Sequence, residues 1–203
     1  MAIWTVCLHF VGSLQRKKLK ATLRHIAIIQ TGLFAKPIAK GDIVYLQAKH
    51  FDENGNLRST LHPDIKADYI TDKHLLRTGD ILFAAKGTKN FAAVFGNHNE
   101  PAVASTSFFV IRLTKKNILP QFLVWYLNHP STQKLLKGQA IGTSIVSISK
   151  TVLEELEIPV PDIKTQKAIL QIAQLRNEEK KLKQQIEILR EKQIQQQIIN
   201  AIK

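Results

Sequence analysis

The stretch from Ile163 to Lys203 constrains the fold of this chain more than any other part of the sequence. It contains no glycine and no proline, and it is rich in Leu, Ile, Gln, Lys and Glu. Apolar residues recur along it at close to the helical period, with Leu175, Leu182 and Leu189 spaced seven apart. A helix of this length would measure about 60 Å, which is too long to bury its apolar seam on its own domain alone. The sequence therefore predicts an arm that pairs with a partner.

The seam predicted to contact that partner is imperfect. Glu179 and Gln193 occupy positions where apolar residues are expected, and the apolar residues change register after Leu189. Such breaks disfavour a long, regular parallel zipper. A helix packed on its own domain is the alternative. The residues predicted to form the paired surface are Ile172, Leu175, Leu182, Ile186, Leu189, Ile194 and Ile198.

Basic residues are unevenly distributed and indicate a polyanionic partner. The formal net charge of the 203 residues is +13. Residues 1–41 contain seven Lys or Arg and no acidic residue, whereas residues 42–161 contain 13 basic and 11 acidic residues. A basic block on a mildly basic body suits nucleic acid. General solubility is the alternative interpretation of the same charge.

Composition excludes several classes of protein. The sequence has no apolar run near the roughly 18–20 residues of a membrane span, and its first residues lack the basic-then-apolar order of a signal peptide. A single cysteine, Cys7, excludes an intrachain disulfide framework and a four-cysteine zinc site. We therefore expect a cytoplasmic protein.

Hydrophobic periodicity predicts an α+β fold, with a mixed domain before the long helix. The domain limits that follow are an extension of unknown role at 1–19, a domain at 20–161 and a helical arm at 162–203. An Asn-Gly turn is predicted at 52–56, and Pro159 and Pro161 predict a stiff connector. The predicted strands are residues 3–10, 27–30, 42–49, 81–85, 91–95 and 103–113. The predicted helices are residues 18–26, 71–76, 120–128, 131–137, 150–155 and the arm.

No catalytic motif stands out in this sequence. It lacks a glycine-rich phosphate loop and, because no two prolines are adjacent, the segment typical of adenine methylation. One alternative remains open: Asp52 or Glu53 could join Asp64 and Lys66 around a divalent metal, as in a metal-dependent nuclease. Apart from that alternative, we predict no catalytic residue, no metal site and no cofactor bound by this chain.

Polar and basic loops are better candidates for function. Residues 85–90 follow a predicted strand and combine two lysines, a glycine, a hydroxyl and an amide. Lysine pairs with phosphate, asparagine can bond the edge of adenine, and glycine lets the backbone come close. A solvated loop is the alternative for each site. The predicted DNA contacts are Lys36, Lys49, His50, Arg58, Lys86, Thr88, Lys89, Asn90, His98, Thr143 and Ser144.

Six segments occur in an order and at spacings that are specific as a set, although none is diagnostic alone. They are residues 26–32 (IAIIQTG), 45–55 (YLQAKHFDENG), 76–87 (LRTGDILFAAKG), 119–128 (LPQFLVWYLN), 142–149 (GTSIVSIS) and 153–161 (LEELEIPVP), followed by Gln166. Together they resemble the specificity (S) subunit of Type I restriction-modification systems. The match covers one target-recognition domain and one helical spacer, which is half of a typical member.

The resemblance implies a division of labour between subunits. In the family, each recognition domain reads one half of a split DNA site, and the helices pair antiparallel. Methyltransferase subunits use S-adenosylmethionine to methylate adenine, and restriction subunits with nuclease and translocase activity join the full complex. We therefore expect a non-catalytic subunit that binds double-stranded DNA, with S-adenosylmethionine, Mg²⁺ and ATP only on partner subunits. A homodimer is expected through the arm; a different half-subunit as partner, or an interaction protein without DNA specificity, are the alternatives.

Overall fold

A mixed α+β domain precedes a long C-terminal helix in this computed structural model, which confirms the predicted fold class. The structure describes residues 20–52, 55–57, 61–68, 70–87, 90–96, 101–140 and 147–202. Its strands are β1 (Lys20–Thr22), β2 (Ala27–Thr31), β3 (Val44–Leu46), β4 (Ile81–Ala84), β5 (Ala92–Val94), β6 (Ala102–Ala104), β7 (Phe108–Leu113) and β8 (Glu157–Pro159). Its helices are α1 (Leu23–Ile26), α2 (Pro120–Asn128), α3 (Pro130–Gly138), α4 (Lys150–Glu154) and α5 (Ile163–Ala201), with a 3₁₀ turn at Ala48–His50. The predicted strand at 3–10 and the predicted extension lie outside the described residues.

The core lies on a four-stranded antiparallel sheet with the order β2-β7-β4-β5. β7 is an inner strand, since its Ile111 pairs with Ile29 on one side and with Ile81 on the other. Parallel β3 and β6 form a second, two-stranded sheet. Three phenylalanine rings join the layers: Phe51 lies 5.6 Å from both Phe91 and Phe108 between ring centroids. Aromatic pairs at such distances stabilise a core beyond the area they bury.

The predicted strand at 103–113 is wrong in one respect, because the chain changes sheet within it. Ser105 and Ser107 share a hydrogen bond of 2.6 Å between their hydroxyls, and the Phe108 N–H donates to the Ser105 carbonyl at 3.0 Å. This turn ends β6, which pairs with β3, and starts β7, which enters the central sheet. Serine hydroxyls that bond locally compete with strand pairing. Because apolar residues flank them on both sides, the sequence pattern predicts one continuous strand.

Two predicted helices are also wrong. Within residues 18–26, the chain first forms β1, which pairs with β8, and only four residues then form α1. Residues 71–76 form a turn in which the His74 N–H donates to the Thr71 carbonyl, and Leu75 then bridges Val103. The predicted connector after Glu157 contributes β8. In each case pairing with distant residues overrides a weak local preference.

Two polar contacts fix the ends of these elements. Asp80 is only 3% exposed and accepts hydrogen bonds from Nε and Nη2 of Arg112 at 2.8 and 2.6 Å. Hydrogen bonding to Asp80 raises the pKa of the Arg112 guanidinium, although burial acts in the opposite direction. The Asn128 side chain both accepts from the Ala92 N–H at 2.7 Å and donates to the Ala92 carbonyl at 2.8 Å. The second contact docks α2 on the edge strand β5.

Helix α5 from Lys164 onward belongs to a second compact unit, Lys164–Lys203, and the first unit ends at Ile163. The 39 residues of α5 correspond to about 58 Å at 1.5 Å per residue. The seven apolar side chains predicted to form its paired surface are between 49% and 67% exposed. Among the described helices, none is long and apolar enough to cross a membrane.

Candidate nucleic-acid interface

The carboxyl ends of β2, β3, β4 and β6 meet at one edge of the domain, around the turn at residues 105–107. We call this the loop edge and define it as residues 32–36, 47–50, 85–87, 105–107 and 147–148. Loops that follow several strands at one edge commonly carry binding function. Four backbone hydrogen bonds assemble this edge: Gly32 N–H to the Phe108 carbonyl (3.0 Å), Leu33 N–H to Ala104 (2.9 Å), Ser105 N–H to Leu46 (2.8 Å) and Ala85 N–H to Ser107 (3.0 Å).

Close backbone packing at the loop edge requires glycine at position 32. A Cβ atom there would lie 2.1 Å from the Ser105 carbonyl oxygen and 2.5 Å from that of Ala104. Gly87, in the loop that follows β4, has a φ of +131°, a conformation open essentially to glycine alone. Glycine at these two positions therefore lets the loops leave the sheet side by side.

Tyr45 fixes the first loop at the edge. Its hydroxyl donates to the Leu33 carbonyl at 3.0 Å and accepts from the Ala35 N–H at 3.3 Å. The residue between these two contacts, Phe34, is 75% exposed, more than any other large hydrophobic side chain in the described part of the domain. Lys36 follows and is exposed. The loop therefore presents an aromatic ring and a cation from a backbone held at two points.

Lys49 and His50 leave the same edge immediately after β3. The Lys49 side chain is exposed. The His50 Nδ1 accepts a hydrogen bond from the Gln47 N–H at 3.3 Å, so a neutral ring carries its proton on Nε2. Burial, and secondly the charge of Lys49, lower the pKa of His50, against a smaller opposing effect of Asp64. At neutral pH His50 is thus an uncharged ring whose Nε2–H can donate to a base acceptor.

Lys86 brings a third and a fourth loop to the edge. It is exposed and forms an antiparallel bridge with Ser147, while the Ile148 N–H donates to the Ala85 carbonyl at 3.0 Å. Four predicted contacts, Thr88, Lys89, Thr143 and Ser144, lie outside the described residues. Gly87, which precedes Thr88, and Ser147, the first described residue after Ser144, belong to the loop edge.

One further predicted contact, Asn90, lies in the described part of the chain and is buried. Asn90 is only 8% exposed, and its amide donates to the Ala84 carbonyl at 2.9 Å. It is a structural group in this conformation, and we omit it from the proposed contacts. Arg58 and His98 lie outside the described residues. The flanking Pro101 accepts from the N–H of Val44, at the start of β3 and away from the loop edge.

The described residues of the alternative nuclease site, Asp52, Asp64 and Lys66, each have other partners. The Asp64 carboxylate accepts from the Tyr45 N–H at 2.8 Å, whereas the Lys66 ammonium lies 3.7 Å from Asp42. The Asp52 carboxylate is taken up by the N–H and side-chain amide of Asn56, at 2.8 and 3.0 Å. No group of three potential metal ligands occurs among the described residues. The Asp64 carboxylate therefore bonds the backbone of β3 and the Asp52 carboxylate stabilises a turn, while Glu53 lies outside the described residues.

Comparison with known families assigns the chain to a family. The family model of the type I restriction modification DNA specificity domain matches residues 27–199. The chain belongs to this family. The matched residues include every described loop of the loop edge as well as most of α5.

One curated relative and two solved structures are similar to this chain, the structures in fold. The chain is 30% identical over 115 residues to the putative type I restriction enzyme MjaX specificity subunit of Methanocaldococcus jannaschii, covering 54% of this chain and 26% of that protein. Among solved structures, it resembles the S subunit from M. genitalium with a TM-score of 0.54 and 21% identity, covering 82% of this chain and 41% of that one. The HsdS subunit from Thermoanaerobacter tengcongensis gives a TM-score of 0.55 and 15% identity, covering 85% and 41%. The chain thus spans about a quarter of the curated relative and about two-fifths of the solved subunits.

Proposed function

We propose that this chain is a DNA-reading subunit of a type I restriction-modification system. It recognises one half of a bipartite site and directs adenine methyltransferase subunits, and with them restriction subunits, to that site. The chain itself is non-catalytic and binds no cofactor, while S-adenosylmethionine, Mg²⁺ and ATP act on the partner subunits. The convergence of four loops at the loop edge is the observation that carries this proposal.

Charge and chemistry at the loop edge support DNA as the ligand. Lys36, Lys49 and Lys86 supply cations for phosphates from three separate loops, and phosphate contacts fix the register of a protein on a duplex. His50 adds a neutral donor, of the kind that reads base edges. Both kinds of group leave one edge, which suits contact with a single duplex.

The decisive experiment identifies the modified DNA sequence. The chain is co-purified with an adenine methyltransferase subunit encoded beside it, and methylated adenines are mapped in DNA exposed to that assembly. We expect a bipartite motif with an unspecified gap. An assembly that forms and methylates without any sequence preference would contradict the proposal. The interaction-protein alternative predicts, in addition, that the chain is not retained on DNA at low salt.

The role of the lysines is tested by salt dependence. Removing one lysine–phosphate pair lowers the slope of log K against log salt concentration by about 0.9. We expect Lys86→Gln to reduce the slope by about that amount for every DNA sequence tested. Lys134→Gln is the matched control, because Lys134 is likewise an exposed lysine but lies on α3. Equal slopes for these two variants would remove Lys86 from the interface.

Helix α5 is proposed to pair antiparallel with the same helix of a second copy. Its apolar side chains are exposed along its length, and a paired copy would bury them. Two-fold symmetry of such a pair would be mirrored in an inverted DNA repeat. We expect sedimentation to give a dimer that Leu182→Lys converts to a monomer, whereas Gln184→Lys, on the opposite face of the helix, leaves it intact. A monomer from the unaltered chain would favour a different half-subunit as its partner.

A further inference from the structure

Phe34 is an exposed aromatic residue in a loop whose backbone is fixed on both sides of it. A single exposed apolar side chain is normal on a protein surface, so its 75% exposure alone assigns no role. Its backbone, however, is fixed. Leu33 and Ala35, on either side, both bond the hydroxyl of Tyr45, which is itself 2% exposed. The ring is therefore held out from the loop edge by an anchored backbone.

The rest of the loop is also anchored. The Ile38 N–H donates to the Asp64 carbonyl at 2.7 Å, and the Gly41 N–H donates to the Pro63 carbonyl at 3.0 Å. A loop ordered before binding loses little conformational entropy when its side chains contact a ligand. The position of Phe34 is thus set before any ligand binds.

Three exposed lysines leave the same loop edge as Phe34. Lys36 follows Phe34 in the same loop, while the loops of Lys49 and Lys86 leave the sheet beside it. An exposed aromatic among lysines is a combination found in proteins that contact nucleic acid, where cations bind phosphates and the ring contacts bases. A docking site for an apolar protein surface would not need the lysines.

We propose that Phe34 is a wedge residue whose ring inserts at a base step of the bound duplex. This inference rests on the proposed function and adds a contact that carries no charge. The flanking lysines hold the phosphates, and the ring partly unstacks one step. Because pyrimidine–purine steps unstack most easily, such a step would be favoured at this position in the motif. The wedge would then contribute to sequence preference through the stiffness of the DNA.

The test measures affinity and base stacking together. The assembly of chain and methyltransferase is bound to a duplex of about 40 bp, which is longer than a bipartite site whose half-sites lie one turn apart. The base analogue 2-aminopurine is placed at successive positions of the mapped motif, one position per duplex. We expect Phe34→Ala to weaken binding about 10- to 100-fold without changing the salt slope, since no charge is removed. We also expect 2-aminopurine fluorescence to rise at one step in each half-site, away from the adenine that is methylated, with the unaltered chain and not with Phe34→Ala. Phe34→Leu, which keeps an apolar wedge, should restore most of the affinity.

Leu135→Ala is the matched control, because Leu135 is an exposed hydrophobic residue (52%) on α3. This substitution should leave DNA affinity and 2-aminopurine fluorescence unchanged. Equal binding by Phe34→Ala and the unaltered chain would overturn the wedge and leave the proposed function standing. Loss of the methyltransferase from Phe34→Ala in the absence of DNA would overturn it in favour of a protein contact. Failure of the unaltered assembly to bind the duplex would overturn both proposals.

Discussion

Removal of one hydroxyl group from Tyr45 tests whether the loop edge is held as the structure indicates. The hydroxyl makes two hydrogen bonds, at 3.0 and 3.3 Å, to the backbone on either side of Phe34. In Tyr45→Phe the ring keeps its packing in the core, where Tyr45 is 2% exposed, so no cavity forms. The substitution removes hydrogen bonding alone.

The magnitude follows from these two bonds. A hydrogen bond contributes about 0.5–1.5 kcal/mol net, and a buried group left without a partner costs about 1–3 kcal/mol. Because Leu33 and Ala35 are only partly buried, water can replace part of the bonding that their backbone groups give up. We therefore expect Tyr45→Phe to lower the free energy of unfolding by about 2 kcal/mol. If the loop opens locally, a change of that size accelerates amide exchange at Ala35 about 30-fold.

The assay is urea unfolding followed by tryptophan fluorescence. Both tryptophans, Trp4 and Trp125, precede α5, so their signal does not come from the long helix. Tyr126→Phe is the matched control: its hydroxyl donates to the Glu157 carbonyl at 3.1 Å in an exposed position, and we expect a decrease below about 0.5 kcal/mol. Equal stabilities of the two variants, with unchanged exchange at Ala35, would refute the assignment of Tyr45 as the anchor of this loop.

Three further predictions concern the domain itself. Asp80→Asn should lower the free energy of unfolding by roughly 2–4 kcal/mol in urea titrations, because it leaves the partly buried Arg112 without its carboxylate; a decrease below about 1 kcal/mol would contradict this. Gly32→Ala should cost at least about 2 kcal/mol by the same measurement, because its Cβ would overlap the Ser105 carbonyl, and unchanged stability would show that the two loops are not in contact. Burial lowers the pKa of His50, so on acidification the imidazole is protonated at a higher pH in the unfolded chain than in the folded one. The free energy of unfolding should therefore fall as pH drops below about 6.5. His50→Gln should reduce that fall between about pH 7.5 and 5.5, and identical pH profiles would exclude His50 as its source.

Features that depend on local pattern can be read from the sequence alone. The long helix follows from a glycine-free and proline-free stretch with apolar residues at helical spacing, and α5 begins at Ile163 where the connector ends. The sequence also predicts helix α2 with its observed limits, because Pro120 suits a first helical turn and Pro130 excludes continuation. The family resemblance likewise follows from segments whose order can be read along the chain.

The meeting of the loops, in contrast, depends on tertiary pairing. The turn at 105–107, which joins four strand ends, lies inside an apolar run that resembles one strand. The local preference for a turn is weak, and the break arises because the first half of the run pairs with β3 and the second half with β2 and β4. The sequence does not indicate Phe34 as a candidate for DNA contact. The exposure of its ring depends on the bonds that the distant Tyr45 makes to its neighbours. Asn90 illustrates the converse: its residue type suits base contact, but its burial against Ala84 is set by the fold of the sheet. Residue types are local properties, whereas burial and shared edges arise from pairings between distant segments.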